Sequence, residues 1–541
     1  MSRTGRLTSR AGSVLAALLA CAASLTAHAQ LSATEHARLV KTQQGLVRGV
    51  IEDGLVVFRG IPYAAPPIGP RRWKPPQPPA RWEGVREVMG FGPPCPSVDL
   101  ARAKEGRWIA SATADIWIGI PMTKGSSEDC LHINIWAPVD ARRAAVMVWI
   151  QPLGASSLPV FDGAAFARDG VVFVSLDYRQ LTLGNFAHPS LTAEATADAP
   201  LARFQTMDQM AALRWIKDNI AAFGADPSNV TVFGLSASAA SVLQLLTLPA
   251  ASGLIDKAIV ESGVGWWTPL DVSQMERLGS LLATFAGLPG MAATAEQLRA
   301  LPPDALPQIG VYSVDGRMQP ENATTMIDVG NIADVPLLIG WTSFDGSSLR
   351  GRGPEDVVAR ASGKLLSAYA GDGLSGADLG YQMYTDGHVA APARWIARKA
   401  SRGAPSYLYL FSYVRTANRN QVRGAAHGDE LAFVFDTWDK ALPELELSDE
   451  DRRMTHMMHS CWVGFAKTGK PSCKGVPDWP RYTTKGDELV ELGLNPVVRR
   501  HFRTPQLDAQ ENAWRAGVNQ AASDVEESLR QLEETEGGHT R

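Results

Sequence analysis

Short apolar runs recur along the chain between polar and glycine-rich segments. From Leu39 to Val57 short alternating segments are broken by glycines, which predicts an opening β-meander. Two later runs, Ala145 to Ile150 and Val171 to Leu176, are short and almost wholly apolar, as is typical of strands buried within a sheet. Further strands are predicted at Asn229 to Phe233, Val335 to Ile339 and Tyr407 to Tyr413.

Helical spacing appears between these runs. From Asp208 to Phe223 apolar residues recur every three or four positions, and Gly224 ends the segment. Ala237 to Leu248 follows a predicted strand directly and is rich in Ala, Leu and Val. Alternating strands and helices predict the α/β fold class, with a mostly parallel central sheet flanked by helices.

The two ends of the chain differ from the middle. Past Pro505 the sequence becomes polar, so residues 506–541 are expected to form a flexible or loosely docked tail that can be helical. No apolar run of about 18 residues occurs after the N-terminus, so no membrane span is expected. We therefore predict one domain over residues 30–505, between an N-terminal segment of residues 1–29 and the tail.

The N-terminal segment has the layout of a secretory signal peptide. Three arginines precede an apolar stretch from Ala11 to Leu25, and the small-residue site Ala27-His28-Ala29 follows. An alternative is a lipoprotein signal, in which Cys21 would carry a lipid anchor. Either arrangement predicts export, to the periplasm or the medium.

The net charge argues against nucleic acid as a partner. The formal charge of the whole chain is −4, and removal of residues 1–29 would take away three arginines and no acidic residue. A more acidic mature protein repels a phosphate backbone. The sequence also lacks a zinc-type cluster of Cys and His and a phosphate-binding glycine loop, so no cofactor and no metal are expected.

Export would permit disulfide bonds among the four cysteines outside the N-terminal segment. Four cysteines allow three connectivities, and unpaired buried thiols are the alternative. Neighbourhood in the sequence favours Cys95 with Cys130 and, less strongly, Cys461 with Cys473.

One serine lies where a nucleophile would be expected. The sequence Gly234-Leu235-Ser236-Ala237-Ser238 stands between a predicted strand and a predicted helix, which is the layout of a nucleophile elbow. The sharp turn requires small residues two before and two after the serine, and Gly234 and Ser238 satisfy that need. A serine becomes nucleophilic only with a base beside it, so a histidine held by a carboxylate is also required.

Among ten histidines, His427 lies in a glycine-flanked loop where an imidazole can be presented. This loop, Ala426-His427-Gly428-Asp429-Glu430-Leu431, resembles the histidine motif of type B carboxylesterases and cholinesterases. Three other segments resemble that family's signatures: Phe58-Arg59-Gly60-Ile61-Pro62-Tyr63-Ala64, Ser127-Glu128-Asp129-Cys130-Leu131 and Trp479-Pro480 with Tyr482. The resemblance covers roughly Leu39 to Pro505.

The resemblance implies an α/β-hydrolase fold and a catalytic triad in the order serine, acid, histidine. The order is met by Ser236, Asp345 and His427. The family usually carries Glu where this chain has Asp345, and Asp serves as the acid in most other α/β-hydrolases. The alternative is that Asp345 is only a turn residue before Gly346.

The oxyanion segment departs most from the family. An aromatic residue or His followed by three glycines is usual there, whereas this chain has Gln151-Pro152-Leu153-Gly154. The backbone N–H groups of Leu153, Gly154 and Ala237 are the expected oxyanion donors. Pro152 has no N–H but occupies the position that does not donate.

Other departures lie around the same site. Leu235 replaces the family's Glu beside the nucleophile, and Gln180-Leu181-Thr182 and Arg203-Phe204-Gln205 replace two further motifs. Trp266 and Trp267 are candidate walls of an acyl pocket, with plain packing as the alternative. Loss of a carboxylate at Leu235 would then favour bulky apolar or aromatic esters.

The sequence therefore predicts an exported serine carboxylesterase that acts on a small-molecule ester through an acyl-enzyme. Two alternatives share the fold. One is a catalytically silent binding or adhesion-type protein, which the altered oxyanion segment favours and the intact triad opposes. The other is an acyltransferase or lyase that uses the same serine.

Overall fold

The computed structural model describes residues 37–99, 102, 105, 107–110, 114–152, 154, 157–196, 199–263, 265–266, 268–349, 353–517 and 530. The predicted signal peptide, with Cys21, lies outside these residues, as do Leu153 and Trp267 of the predicted site. Among the residues that are described, no helix combines the length and apolar composition needed to span a membrane.

The described strands are, in chain order, β1 (Ala37–Lys41), β2 (Leu46–Glu52), β3 (Leu55–Pro62), β4 (Val85–Glu87), β5 (Arg107–Ala110), β6 (Ala114–Ile118), β7 (His132–Pro138), β8 (Ala144–Ile150), β9 (Val172–Leu176), β10 (Ala225–Leu235), β11 (Lys257–Glu261), β12 (Gln308–Val311), β13 (Leu337–Thr342), β14 (Ser406–Phe411), β15 (Glu488–Leu492) and β16 (Val497–Arg500).

The described α-helices are α1 (Ala164–Arg168), α2 (Leu181–Gly184), α3 (Pro189–Thr192), α4 (Phe204–Asn219), α5 (Ala237–Thr247), α6 (Val272–Phe285), α7 (Ala295–Ala300), α8 (Ala323–Asp328), α9 (Pro354–Arg360), α10 (Gly363–Ser367), α11 (Gly376–Thr385), α12 (Ala391–Ala400), α13 (Leu431–Phe435), α14 (Trp438–Ala441), α15 (Asp449–Thr468) and α16 (504–517).

One large mixed sheet organises the molecule. Its order is β1-β2-β3-β7-β9-β8-β10-β11-β13-β14-β15-β16, and β4 pairs with β2. The strands from β9 to β15 in this order pair in parallel, while β1 to β3, β7 and β16 add antiparallel edges. This is the predicted arrangement, an α/β-hydrolase fold with an N-terminal β-meander.

The central strands are buried on both faces. In β8, Val146 and Val148 pack into one apolar cluster while Met147 and Trp149 pack into another on the opposite side. Successive side chains of a strand point to opposite faces, so helices must cover both. α4, α5 and α12 contribute to the first cluster and α15 to the second.

A small second sheet was not predicted. β5 and β6 form a hairpin inside the loop closed by Cys95 and Cys130, and β6 pairs antiparallel with β12. The structure joins Cys95 to Cys130 and Cys461 to Cys473, the two pairings that the sequence favours.

The start of the predicted C-terminal tail, which the sequence allowed to be helical, forms a helix that packs on the domain. Residues 504–517 form α16, whose Leu507 is buried and whose Trp514 ring stacks on Trp266 with centroids 4.7 Å apart. Asp508 and Glu511 form ion pairs with Arg394 and Arg398 of α12. Two apolar side chains and two ion pairs therefore hold this helix against the domain.

Candidate active site

Ser236 lies in a sharp turn between β10 and α5, as the elbow motif predicts. Its backbone has φ 58° and ψ −120°, in a region that L residues rarely adopt. The Ser236 N–H donates to the Glu261 carbonyl at 2.9 Å, and its own carbonyl accepts from Ala240. These bonds anchor the strained turn to the neighbouring strand and to the helix.

The small residues around the serine have specific tasks. A Cβ on Gly234 would lie 2.7 Å from Ser238 Oγ and 2.9 Å from the Ser238 carbonyl carbon, so no larger residue fits there. The Ser238 hydroxyl accepts from the Leu235 N–H at 3.0 Å and donates to the Leu235 carbonyl at 2.8 Å. Ser238 therefore closes the turn by hydrogen bonds where the motif usually has glycine.

Asp345 follows β13 and is almost fully buried, with 1% of its surface exposed. Oδ1 of its carboxylate lies 2.5 Å from His427 Nδ1. Oδ2 accepts from the Ser262 hydroxyl at 2.9 Å and from the Thr342 N–H at 2.7 Å. Both carboxylate oxygens are thus occupied, and the acid has one orientation relative to the imidazole.

His427 lies on the loop after β14, beside the turn that carries Asp345. Phe344 and Ala426 form a parallel bridge, and the His427 N–H donates to Ser347 Oγ at 2.8 Å. About a fifth of the His427 side chain is exposed. The carboxylate contact at Nδ1 leaves Nε2 as the ring nitrogen available to a hydroxyl.

The loops that carry Ser236 and His427 meet in the fold. A Cβ on Gly428 would lie 3.3 Å from Leu235 Cδ2, so the residues next to the serine and next to the histidine are in contact. In the described part of the chain no hydrogen bond joins the Ser236 hydroxyl to His427. Catalytic hydrogen bonds of this kind often form only when substrate is bound.

The oxyanion segment differs from the prediction in one respect. Ala237 is the first residue of α5, where an N–H has no acceptor within the helix. The Gly154 N–H, also predicted to donate, instead donates to Gln180 Oε1 at 3.1 Å. Gln180 Nε2 in turn donates to the Gly154 carbonyl at 3.1 Å. Leu153 lies outside the described residues.

Two buried glutamates lie behind the acid and the histidine. Glu261 and Glu430 have no exposed surface; Glu261 Oε2 and both Glu430 carboxylate oxygens lack hydrogen-bond partners. Burial raises the pKa of Glu261 to about 8, although the Trp462 indole N–H donates to its other oxygen at 2.5 Å. Burial, followed by the nearby carboxylates of Glu261 and Asp345, raises the pKa of Glu430 well above its ordinary value. Near neutral pH the Glu261 side chain is therefore largely uncharged.

The predicted acyl-pocket residues have different surroundings. Leu235 is buried against the histidine loop, as described above. Trp266 stacks on Trp514 with an interplanar angle of 1° and lies edge-on to Trp395. This is the packing role that the sequence left open for Trp266. Trp267 lies outside the described residues.

Two residues of the site were missed by sequence reasoning. Ser262, which donates a hydrogen bond to Asp345, follows β11 with φ 47°, and no sequence motif pointed to it. Gln180 was noted as a departure from the family but had no assigned contact. Within the described residues, no group of three or more His, Cys, Asp or Glu side chains is arranged to hold a metal ion.

The chain is similar to known proteins over most of its length. The carboxylesterase family profile matches residues 36–364 and 377–510. Para-nitrobenzyl esterase of Bacillus subtilis (strain 168) is 34% identical over 491 residues, covering 84% of this chain and 94% of the relative. Fumonisin B1 esterase of Sphingopyxis macrogoltabida is 32% identical over 497 residues, covering 85% and 87%. A solved structure of PNB esterase superposes with a TM-score of 0.73 at 31% identity, covering 87% of this chain and 99% of that one.

Proposed function

This chain belongs to the carboxylesterase family and is a carboxylic ester hydrolase, and we propose that it works through an acyl-enzyme on Ser236. The observation that carries the proposal is the 2.5 Å contact between His427 Nδ1 and Asp345 Oδ1, beside a serine on a strained strand-to-helix turn. Nucleophile, base and orienting acid are the three roles that ester cleavage by serine requires.

In the first half of the reaction, His427 Nε2 accepts the proton of Ser236 Oγ as the hydroxyl attacks the ester carbonyl. Asp345 holds the ring so that Nε2 faces the serine, and its charge stabilises the imidazolium that forms. The Ala237 N–H donates to the oxyanion of the tetrahedral intermediate. The protonated histidine then gives its proton to the departing alkoxide, which leaves the acyl group on Ser236.

In the second half, water replaces the alcohol. His427 takes a proton from the water as it attacks the acyl-serine, and returns a proton to Ser236 Oγ as the acid leaves. The same base therefore serves both halves, and the serine hydroxyl is restored.

The substrate we propose is a bulky apolar or aromatic ester. Leu235 places an aliphatic side chain beside the nucleophile. The name of the Bacillus subtilis relative, para-nitrobenzyl esterase, refers to an aromatic ester, which supports the same class. Trp266 no longer supports the proposal, because Trp395 and Trp514 cover its ring.

We also propose that the protein is exported, to the periplasm or the medium, after cleavage of residues 1–29. The two disulfide bonds are consistent with an oxidising compartment. The mature chain would then be one α/β-hydrolase domain over residues 30–505, extended by α16, with a short tail beyond it. N-terminal sequencing of the exported protein should begin at Gln30, whereas a lipid-modified N-terminus at Cys21 would establish the lipoprotein alternative.

Hydrolysis of p-nitrophenyl esters tests the catalytic proposal. Acyl chains of graded length and one aromatic acyl group are compared for wild type and Ser236→Ala. We expect turnover by the wild type that Ser236→Ala lowers to background, with the aromatic or longer acyl groups preferred. Equal background rates in the two proteins would favour a silent binding protein. Acylation of Ser236 with little free acid released would indicate a transferase or lyase.

A further inference from the structure

Gln180 makes an unusual contact with the oxyanion segment. Its side-chain amide pairs with both backbone groups of Gly154, accepting from the N–H and donating to the carbonyl, each at 3.1 Å. Only 1% of the Gln180 surface is exposed, so water does not compete readily for these bonds. The pair is equivalent to one rung of a β-ladder, made by a side chain.

The turn that carries Gln180 is itself held firmly. Leu181, the next residue, has φ 50° although its side chain is branched and buried, packing with Val98 and Ile120. A strained residue of this kind persists only where its surroundings fix it. Gln180 is therefore presented to Gly154 by a rigid support.

Further hydrogen bonds join residues 177–180 to the oxyanion segment. The Tyr178 hydroxyl donates to the Gln151 carbonyl at 2.6 Å, and Gln151 Nε2 donates to Asp177 Oδ1 at 3.1 Å. Residues 177–180 thus bind residues 151 and 154 at several points. Among these contacts, the one with Gln180 occupies the Gly154 N–H.

Taking the acyl-enzyme mechanism as its basis, we propose that Gln180 is a positioning residue that withholds the Gly154 N–H from the substrate in the resting enzyme. The N–H changes partner during the reaction, from Gln180 Oε1 to the oxyanion. A hydrogen bond to an ionised oxygen is about twice as strong as one to a neutral amide oxygen, so charge on the ester oxygen drives the exchange. Breaking the two hydrogen bonds between Gln180 and Gly154 raises the free energy of the transition state and so lowers kcat.

The proposal predicts opposite effects on stability and on activity. Gln180→Met keeps the size of the side chain but removes both hydrogen bonds, so it should lower the melting temperature. Because the Gly154 N–H is then free, the same change should raise kcat roughly three- to tenfold, the usual range for one hydrogen bond, with KM little changed. If Gln180 merely ordered the segment, stability and kcat would fall together.

A matched control uses the other buried glutamine of this contact region. Gln151→Met removes the bond to Asp177 but leaves the Gly154 N–H paired with Gln180. It should loosen the segment without freeing that N–H, and kcat should fall. A rise in kcat for Gln151→Met equal to that for Gln180→Met would refute the proposal.

Gln180→Glu supplies a pH signature. A protonated carboxyl can accept from the Gly154 N–H and donate to its carbonyl, as the amide does. An ionised carboxylate loses the donor and repels the oxyanion. The kcat of this variant should therefore fall as pH rises through the pKa of the introduced carboxyl, over a range where the wild type shows no fall.

The decisive measurement is a structure of the wild type after reaction with a fluorophosphonate. The Gly154 nitrogen should lie about 3 Å from the phosphoryl oxygen and beyond hydrogen-bonding distance of Gln180 Oε1. An adduct that keeps the Gln180 pair would refute this inference and leave the proposed function intact. A wild type that neither labels nor hydrolyses esters would refute both.

Discussion

Asp345 is held by more donors than a turn residue would need. The Ser262 hydroxyl and the Thr342 N–H occupy one carboxylate oxygen, which leaves the other for His427. An aspartate is one methylene shorter than the glutamate usual at this position in the family. The short side chain still reaches the imidazole at 2.5 Å, because it lies in a buried turn directly against the histidine loop.

Ser262→Ala removes one of the two donors to Asp345 Oδ2. A hydrogen bond to a charged group is worth about 1.5 to 3 kcal/mol, of which part is lost from the transition state. We expect kcat for a p-nitrophenyl ester to fall about tenfold or more, with KM little changed. Ser228→Ala, at an exposed position of β10, is the matched control and should leave kcat unaffected. Equal kcat in wild type and Ser262→Ala would show that Thr342 alone positions the acid.

Glu261 should make stability depend on pH. Its pKa is raised to about 8 in the folded protein, so between the ordinary glutamate pKa and 8 the unfolded chain binds fewer protons than the folded one. The contribution of Glu261 to the free energy of unfolding is therefore fully present below its pKa in the unfolded chain. It is lost as pH rises through its pKa in the folded protein.

Glu261→Gln removes the ionisation but keeps an oxygen for the Trp462 indole. Compared with the wild type, this variant should gain thermal stability progressively from pH 5 to pH 8, as followed by the melting temperature. Glu83→Gln removes the same charge at an exposed site and should show no such trend. If the melting temperatures of wild type and Glu261→Gln changed with pH in parallel across this range, the raised pKa of Glu261 would be contradicted.

Among the elements, α16 has the clearest structural role outside the central sheet. Trp514 covers Trp266 and Trp395, and Asp508 and Glu511 pair with arginines of α12. Polarity alone suggested a loose tail, because apolar residues are few. Their spacing on one helical face, at Leu507 and Trp514, decides the outcome.

Truncation tests that role. Ending the chain at residue 503 would expose Trp266, remove the Glu511 partner of Arg398 and leave Arg394 paired with Asp487 alone, so the melting temperature should drop by several degrees and tryptophan emission should shift to the red. Ending it at residue 517 keeps α16 and should lower the melting temperature far less. Equal melting temperatures for the two truncated proteins would mean that α16 does not stabilise the domain.

The elements that sequence predicted best are those with a strong local pattern. The β8 and β9 runs and the helix after Ser236 were located within one or two residues of their observed bounds. The pairing of β6 with β12 was missed because the two strands are distant in sequence, and no local pattern encodes that pairing.

The residues of the site were likewise predicted best where a local motif marks them. Ser236 and His427 lie in distinctive motifs, whereas the bond between Gln180 and Gly154 depends on two loops separated along the chain. Its consequence, an occupied N–H in the oxyanion segment, could be seen only in three dimensions. The hydrogen bond from Ser262 to Asp345 could not be predicted from the sequence either, because the two residues follow different strands.

For the molecule as a whole, the parallel sheet brings the chemistry together. β10, β11 and β13 are neighbours, and Ser236, Ser262 and Asp345 follow their carboxyl ends. Parallel strands present these ends at one edge, where ligand sites of open α/β sheets lie. The two disulfide bonds join Cys95 to Cys130 and tie Cys461 of α15 to Cys473.

Every step of the proposed reaction depends on Ser236 as the nucleophile. Its identity is tested by reaction of the mature wild type with a fluorophosphonate, followed by peptide mapping. We expect a single adduct on the peptide that contains Ser236, loss of esterase activity in step with labelling, and no adduct on Ser236→Ala. An unlabelled wild type, or a label on a different serine while activity is lost, would contradict it.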